Sequence, residues 1–307
     1  MRSPLGNQRG MVLLLVLVVV ALLAALLSEF SFSSLVDLRL AETFRDSSRA
    51  YYLANGGVRA GRMLLQEDRN SYDSPDEAWS QGVIGYPVAD GAVTISIEDL
   101  GGRVDLNRLV TSGVNVDAFV KDRCLRLFTY LGLEDPAGLV DALIDWLDFG
   151  DSDQEQPLGA ESGYYLGLPR PYPAGNGHLA SFDELGLVKG FTAEVMATLA
   201  PHVTIYGGER ININTASKAV ILALSDQMDE QTAEKIITSR EETPFKTLQQ
   251  LQDLPGMSTL YGAISTYIDL KSDNFRIRSL GQVGDGARTV EAVVQKSGDR
   301  ILYQRVY

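Results

Sequence analysis

Met11 to Leu27 is a run of seventeen residues without a polar side chain. As a helix rising about 1.5 Å per residue it spans roughly 26 Å, close to the hydrocarbon thickness of a bilayer. Ser28 to Phe32 can extend it at the interface. Arg2 and Arg9 precede the run, and Glu29 is the first acid after it. The positive-inside tendency puts the first ten residues in the cytoplasm and the bulk of the chain outside it. No proline interrupts Glu29 to Asp68, where Phe32, Leu35, Val36, Leu40, Phe44, Tyr51, Leu53, Ala54, Val58, Leu64 and Leu65 recur at helical spacing. One long amino-terminal helix is expected. Gly56-Gly57 costs such a helix about 1–2 kcal/mol relative to alanines and allows a bend there. Three readings of the apolar run stay open on the residues alone. A secretory signal peptide needs a small-x-small cleavage site, and Leu26-Leu27-Ser28 is a poor one. A plain signal anchor stays uncut. A leader cut after Gly10 leaves Met11 as a new amino terminus on a retained anchor.

Beyond a turn-like stretch at 71–75 the period changes. In VTISIEDL, Val93, Ile95 and Ile97 alternate with polar residues, the two-residue period of a half-buried strand. FRIRS and RTVEAVVQKSGDRILYQRVY read the same way, with Ser297-Gly298-Asp299 turning the last hairpin. These flanking strands are expected to form one antiparallel sheet packed on the amino-terminal helix. The region from about Val104 to Lys271 reads as a largely helical insertion, which makes the fold class α+β.

The insertion carries an internal repeat. RVDLNRL (103–109) is similar to RININTAS (210–217), and SFDELGLVKGF (181–191) to FKTLQQLQDLPGM (245–257). The asparagines of VDLN and ININ precede helices and can cap them. Gly190 and Gly256 suit the turn of a helix-hairpin-helix. In DNA binders that motif holds phosphate with Lys and Arg, yet residues 211–256 carry four basic side chains against seven acidic ones. The whole chain, with 27 basic and 40 acidic residues, has net charge -13. Both facts argue against a nucleic-acid partner.

The first repeat holds an extra acidic segment. Asp141, Asp145, Asp148, Asp151, Asp153, Glu155 and Glu161 lie there with no intervening base. Asp141, Asp145 and Asp148 share one helix face, where like charges destabilise unless neutralised. Asp148, Asp151, Asp153 and Glu155 then turn through glycine and proline, so several carboxylates can converge. Six to eight oxygens at flexible geometry is what Ca²⁺ takes. A solvated acidic loop is the alternative, and the EF-hand spacing is not met. Trp146, Tyr164, Tyr165 and Tyr172 beside the acids favour a packed segment. With only His178, His202 and Cys124, a histidine- or cysteine-based zinc site and an intramolecular disulfide are not expected. Two carboxylates can serve glycoside hydrolysis, but no phosphate loop, nucleophile elbow or metalloprotease motif is present. The chain is expected not to be an enzyme.

A short basic leader ending in glycine directly before an apolar helix resembles the type IV pilins and pseudopilins, which a prepilin peptidase cuts. SRAYYLANGG, GRVDLN, LVDALIDWLD, GAES-GYY, ININTAS and RILYQRV together resemble the type II secretion system minor pseudopilin K family (GspK) over essentially the whole chain. The resemblance implies a pseudopilin fold with a large inserted α-helical domain containing helix-hairpin-helix or SAM-like repeats. The boundaries are a leader at 1–10, a membrane segment at 11–32, a pseudopilin domain at 33–104 and 273–307, and an insertion at 105–272. The repeat halves are about 103–205 and 206–272. It implies cleavage between Gly10 and Met11 with N-methylation of Met11, and a single-pass inner-membrane protein with its bulk in the periplasm. It implies assembly with minor pseudopilins I and J, and with other secretion components, at the pseudopilus tip. There the complex starts or caps a filament that drives folded proteins through the outer-membrane secretin.

It also implies calcium. Carried over by residue, LIDWLD and GAES point to Asp145, Asp148 and Glu161, with Asp151 and Asp153 as further ligands. Ser162 stands where relatives often have an aspartate, so one ligand is absent. Leu15 stands where most pilins have glutamate, the fifth mature residue, and the K family characteristically lacks that acid. A membrane-anchored helix-hairpin-helix DNA-uptake protein and a minor pilin of a type IV pilus are the alternatives.

Overall fold

The computed structural model describes residues 8–150 and 155–307. One unbroken helix, α1 (Gln8–Glu67), begins the described chain. Its first half makes no internal contact: every residue from Met11 to Leu27 is exposed. Its second half buries Ala50, Ala54, Val58 and Leu65 against a sheet. The sheet has five strands, β1 (Val83–Val88), β2 (Gly91–Asp99), β3 (Asn274–Val283), β4 (Gly286–Gln295) and β5 (Arg300–Val306), all antiparallel and neighbouring in chain order. Pairing of β2 with β3 runs from Gly91 opposite Val283 to Asp99 opposite Phe275. The inserted residues therefore leave and return at one end of a single hairpin. The alternation expected for β2 holds: Val93, Ile95 and Ile97 are buried with Phe275, Ile277 and Val290. The periodicity does not reveal β1, whose VIGYPV carries a glycine and a proline and exposes all but its first residue.

Gly56-Gly57 does not interrupt α1. Gly57 lets it lie close to the sheet. A Cβ on Gly57 would stand 2.1 Å from Ser279 Oγ, and one on Gly281 of β3 would stand 2.1 Å from the Ala50 carbonyl oxygen. The helix runs unbroken through both glycines, and a side chain at Gly57 would collide with β3.

The insertion has its own core, separate from that of the sheet and helix. It contains α2 (Ala118–Tyr130), α3 (Pro136–Leu147), α4 (Ser162–Leu166), α5 (Ala193–Leu199), α6 (Lys218–Ala223), α7 (Glu230–Glu242), α8 (Leu248–Gln252) and α9 (Met257–Ile264). Two short parallel ladders close it: Val104–Asp105 beside Val203–Thr204, and Ile211–Asn212 beside Ile268–Asp269. The repeat asparagines do not cap helices, contrary to the expectation. Asn107 donates to the carbonyls of Leu179 (3.0 Å) and Ile205 (3.1 Å) and accepts from Leu179 N–H. Asn214 does the same to Phe245, donating to its carbonyl (2.9 Å) and accepting from its N–H (3.0 Å). The caps are other residues, Asp105 for the 3-10 turn at 106–108 and Ser217 for α6. An asparagine side chain matches a peptide group donor for acceptor, so it pairs with a distant backbone segment as readily as it caps.

Gly281→Ala should destabilise the protein by about 1–3 kcal/mol, since the new methyl meets α1 backbone. Gly56→Ala, with nothing within 4 Å of the new methyl, should stabilise it by up to about 1 kcal/mol. Denaturant midpoints of the two variants check the contrast.

Candidate metal centre

Helix α3 is the buried helix of the first repeat. Asp135 caps it, accepting from Gly138 N–H at 3.0 Å, and Pro136 occupies its first turn. Leu139, Val140, Leu143, Ile144, Trp146 and Leu147 pack around it. Asp141, Asp145 and Asp148 therefore enter the interior with it and are buried.

The three aspartates then part company. Asp141 is neutralised from outside the acidic segment: its Oδ1 pairs with Lys121 Nζ of α2 at 3.1 Å, and its Oδ2 accepts from Leu158 N–H at 3.3 Å. Asp145 and Asp148 meet Glu161, which returns on the far side of the loop. One oxygen of each lies within 4.8 Å of the others, and all three residues are buried. Asp145 is 0% exposed. Its Oδ1 accepts from Gln156 N–H at 2.9 Å, while its Oδ2 has no hydrogen-bond partner among the described residues. Gly159 lies directly over that oxygen, where a Cβ would come within 1.7 Å of Oδ2. Burial pushes the Asp145 carboxyl up to about 6, partly offset by N–H donors from Gln156 and Ala160.

An aromatic cluster walls the acids off. Trp146 packs edge-on to Tyr165, with ring centroids 5.2 Å apart, and Tyr165 stacks on Tyr172 at 5.4 Å. Trp146 Nε1 donates to Glu184 at 3.1 Å and Tyr172 Oη to the Leu187 carbonyl at 2.9 Å. Glu161 stands at the start of α4 without capping it. Ser162 Oγ accepts from Ala174 N–H at 3.1 Å and so braces the backbone beside Glu161. Asp151 and Asp153 lie outside the described residues.

The donor set fits a hard cation. Among the described residues all donors are oxygens, none is an imidazole or thiolate, and the buried Asp145 Oδ2 has no hydrogen-bond partner. Two oxygens each about 2.4 Å from one Ca²⁺ can be at most about 4.8 Å apart. The described residues hold a second acidic group, Asp68, Asp73 and Glu77, which the sequence analysis does not single out. There a side chain is already the cation: Lys296 Nζ lies 2.6 Å from Asp68 and 2.8 Å from Asp73. Its partners are more than 200 residues away along the chain, so no local pattern announces it.

The second repeat is no phosphate cradle. Lys218 pairs with Glu230 at 3.3 Å and Glu234 at 3.1 Å, and the half-buried Arg240 donates to the Ile213 carbonyl. Both of these cations are engaged internally. Gly190 and Gly256 have left-handed backbone, at φ +85° and +101°, each ahead of a short helix.

A long helix that packs its lower half on an antiparallel sheet and leaves its apolar upper half free defines a pilin-like subunit, here with a helical domain inserted into one hairpin. The family described as "Type II secretion system (T2SS), protein K" matches residues 102–208 and again 211–271. The chain belongs to this family, the K-type minor pseudopilins of the type II secretion system. The type II secretion system protein K of Aeromonas hydrophila is 29% identical, covering 96% of this chain and 95% of that protein. That of Pseudomonas aeruginosa is 28% identical, covering 95% and 90%. A chain in the crystal structure of the GspK-GspI-GspJ complex from enterotoxigenic Escherichia coli shares the fold. It superposes with a TM-score of 0.70 at 18% identity, covering 90% of this chain and 99% of that one.

Without divalent ions, the raised Asp145 carboxyl should set a pH dependence. An acid whose folded pKa lies above its unfolded value stabilises the fold only while protonated. Its contribution is greatest below about pH 4 and is lost as pH rises to about 6. In EDTA, Asp145→Asn should therefore gain melting temperature over the parent progressively between about pH 4 and 6, with a constant gap above. A gap independent of pH would contradict this.

Proposed function

We propose that the chain is a tip subunit of the periplasmic pseudopilus, anchored in the inner membrane by the upper half of α1 and assembling with minor pseudopilins I and J. The observation that carries this reading is the free, wholly apolar stretch Met11–Leu27 of α1, with Leu15 in the place of an acid. Met11 is 69% and Leu15 63% exposed, so this surface needs a bilayer or neighbouring helices to cover it. In a filament of such helices, a glutamate at the fifth mature position is tolerable when the ammonium of an adjacent subunit pairs with it. Leu15 offers no such acid. The subunit therefore lacks that contact to a subunit above it, which suits the end of a filament. Its helix also leaves the bilayer without desolvating a charge. The Gly10–Met11 junction, between the basic leader and the apolar run, is where prepilin peptidase cuts and methylates in this reading. The internal ion pairs of Lys218 and the carbonyl contact of Arg240 argue against DNA uptake.

Calcium belongs to the same reading. Asp145, Asp148 and Glu161 hold it, with Asp151 and Asp153 as candidates for the remaining positions. The ion supplies positive charge among buried carboxylates and joins α3 to the returning loop. The chain's own part is to bring the three acids together behind Trp146 and Tyr165 and to keep Asp141 aside with Lys121. The role is structural, and no reaction is assigned.

Co-expression with I and J in a secreting cell should yield a ternary complex in which this chain has the mass of a methylated form starting at Met11. A chain with an intact leader, or one that fails to co-purify with either partner, would count against the proposal. Calcium at a hundredfold excess over its dissociation constant should stabilise the protein by about 2.7 kcal/mol. For an inserted domain of this size that raises the melting temperature by roughly 5–10 °C over EDTA. The shift should vanish in Asp145→Asn.

A further inference from the structure

We infer that Lys189 is a positioning residue for the Asp145–Asp148–Glu161 centre, holding the segment that delivers Glu161. The inference rests on the calcium reading and deepens it. Lys189 lies well outside the acidic segment, just before the left-handed Gly190. Its Nζ donates to the Leu158 carbonyl at 3.1 Å and the Gly159 carbonyl at 3.0 Å. The same ammonium lies 5.4 Å from the ring centroid of Tyr164. Its backbone N–H donates to Tyr165 Oη at 3.2 Å. Lys189 thus grips the chain on both sides of Glu161, at 158–159 before it and at 164–165 after it.

What it grips is close to the acids. Gly159 rests on Asp145 Oδ2, the buried oxygen without a hydrogen-bond partner. Tyr165 packs on Trp146, the residue next to Asp145 on α3. Moving residues 158–161 by an ångström would carry Glu161 away from Asp145 and Asp148 and open the cover over Oδ2. Lys121 performs the matching task at the other end of the loop, where its Nζ reaches Gln156 Oε1 at 3.1 Å as well as Asp141. Lys189 acts on the site through the backbone carbonyls it holds. Outer-shell partners that fix ligand orientation contribute about 10- to 100-fold in metal affinity.

The Leu158 contact is exposed and that of Gly159 half-buried, so water can replace the ammonium at the first, and the apo fold should tolerate loss of Lys189 better than the metal does. The test uses the full chain in detergent micelles, titrated with Ca²⁺ by calorimetry and melted in EDTA. Lys189→Met should weaken Ca²⁺ binding about 10- to 100-fold, with an EDTA melting temperature close to that of the parent. Lys189→Arg, which can still donate to both carbonyls, should bind within a few-fold of the parent. Unchanged affinity in Lys189→Met overturns the inference while leaving the calcium reading intact. A drop in affinity that Lys189→Arg does not restore overturns it as well. Absence of Ca²⁺ binding by the parent chain overturns the calcium reading and this inference with it.

Discussion

Asp99 is a buried carboxylate at the end of β2, where the chain leaves the sheet for the inserted domain. It accepts from Gly101 N–H at 2.7 Å, Ser272 Oγ at 2.8 Å, Asn212 Nδ2 at 3.1 Å, and Thr215 Oγ1. Those donors come from the outgoing chain, from the returning chain and from the start of the second repeat. Asn212 also reaches the Asp73 carbonyl at 3.0 Å, and Asp73 accepts from Ser272 N–H at 2.7 Å. Lys296 of the β4–β5 turn joins Asp73 to Asp68, just past α1. Burial raises the Asp99 carboxyl, and the four donors oppose that shift. This knot sets where the insertion stands on the pilin-like body. Contacts farther out, such as Arg305 with Asp183 and Asn274 with the Gly207 carbonyl, add to it.

The insertion is built by the same device used twice. In each half, a strand-like segment pairs in parallel with the residues that close the half, and an asparagine side chain ties a distant segment beside it. Because the closure is made by backbone pairing and amide groups, the sequence between the ends is free to vary. The second half keeps short helices there. The first half accommodates α3, the acidic loop and the aromatic wall. The acidic cluster is thus an elaboration of one repeat, held by a frame that both repeats share.

Charge placement decides which acids form that centre. Three aspartates enter on one face of α3, and a lysine from α2 removes the first from the set. The remaining two are completed by Glu161, whose segment is held by Lys189. Each like charge brought into the interior costs free energy unless a counter-charge or donor meets it. Lys121 meets that requirement for Asp141, while Asp145 keeps a carboxyl raised by its burial.

The sequence by itself determined the long helix, the apolar anchor, the alternating strands β2 to β5 and the acidic face of α3. These follow from neighbours two, three or four positions apart, whose side chains share a face whatever else the chain does. The repeat was also legible, because similar segments recur in the same order. Tertiary structure decided the rest. It turned the expected capping asparagines into ties between distant segments and made Gly57 and Gly281 two points of close approach between α1 and the sheet. It paired β1, which carries no alternation of its own, through its neighbour β2. It also separated Asp141 from Asp145, two residues that are equivalent by spacing, because Lys121 is 20 positions away from the one it neutralises. Periodicity reports what a residue's own element presents. Which partner waits opposite is set by the long-range packing, and there the choice among acids, asparagines and glycines was made.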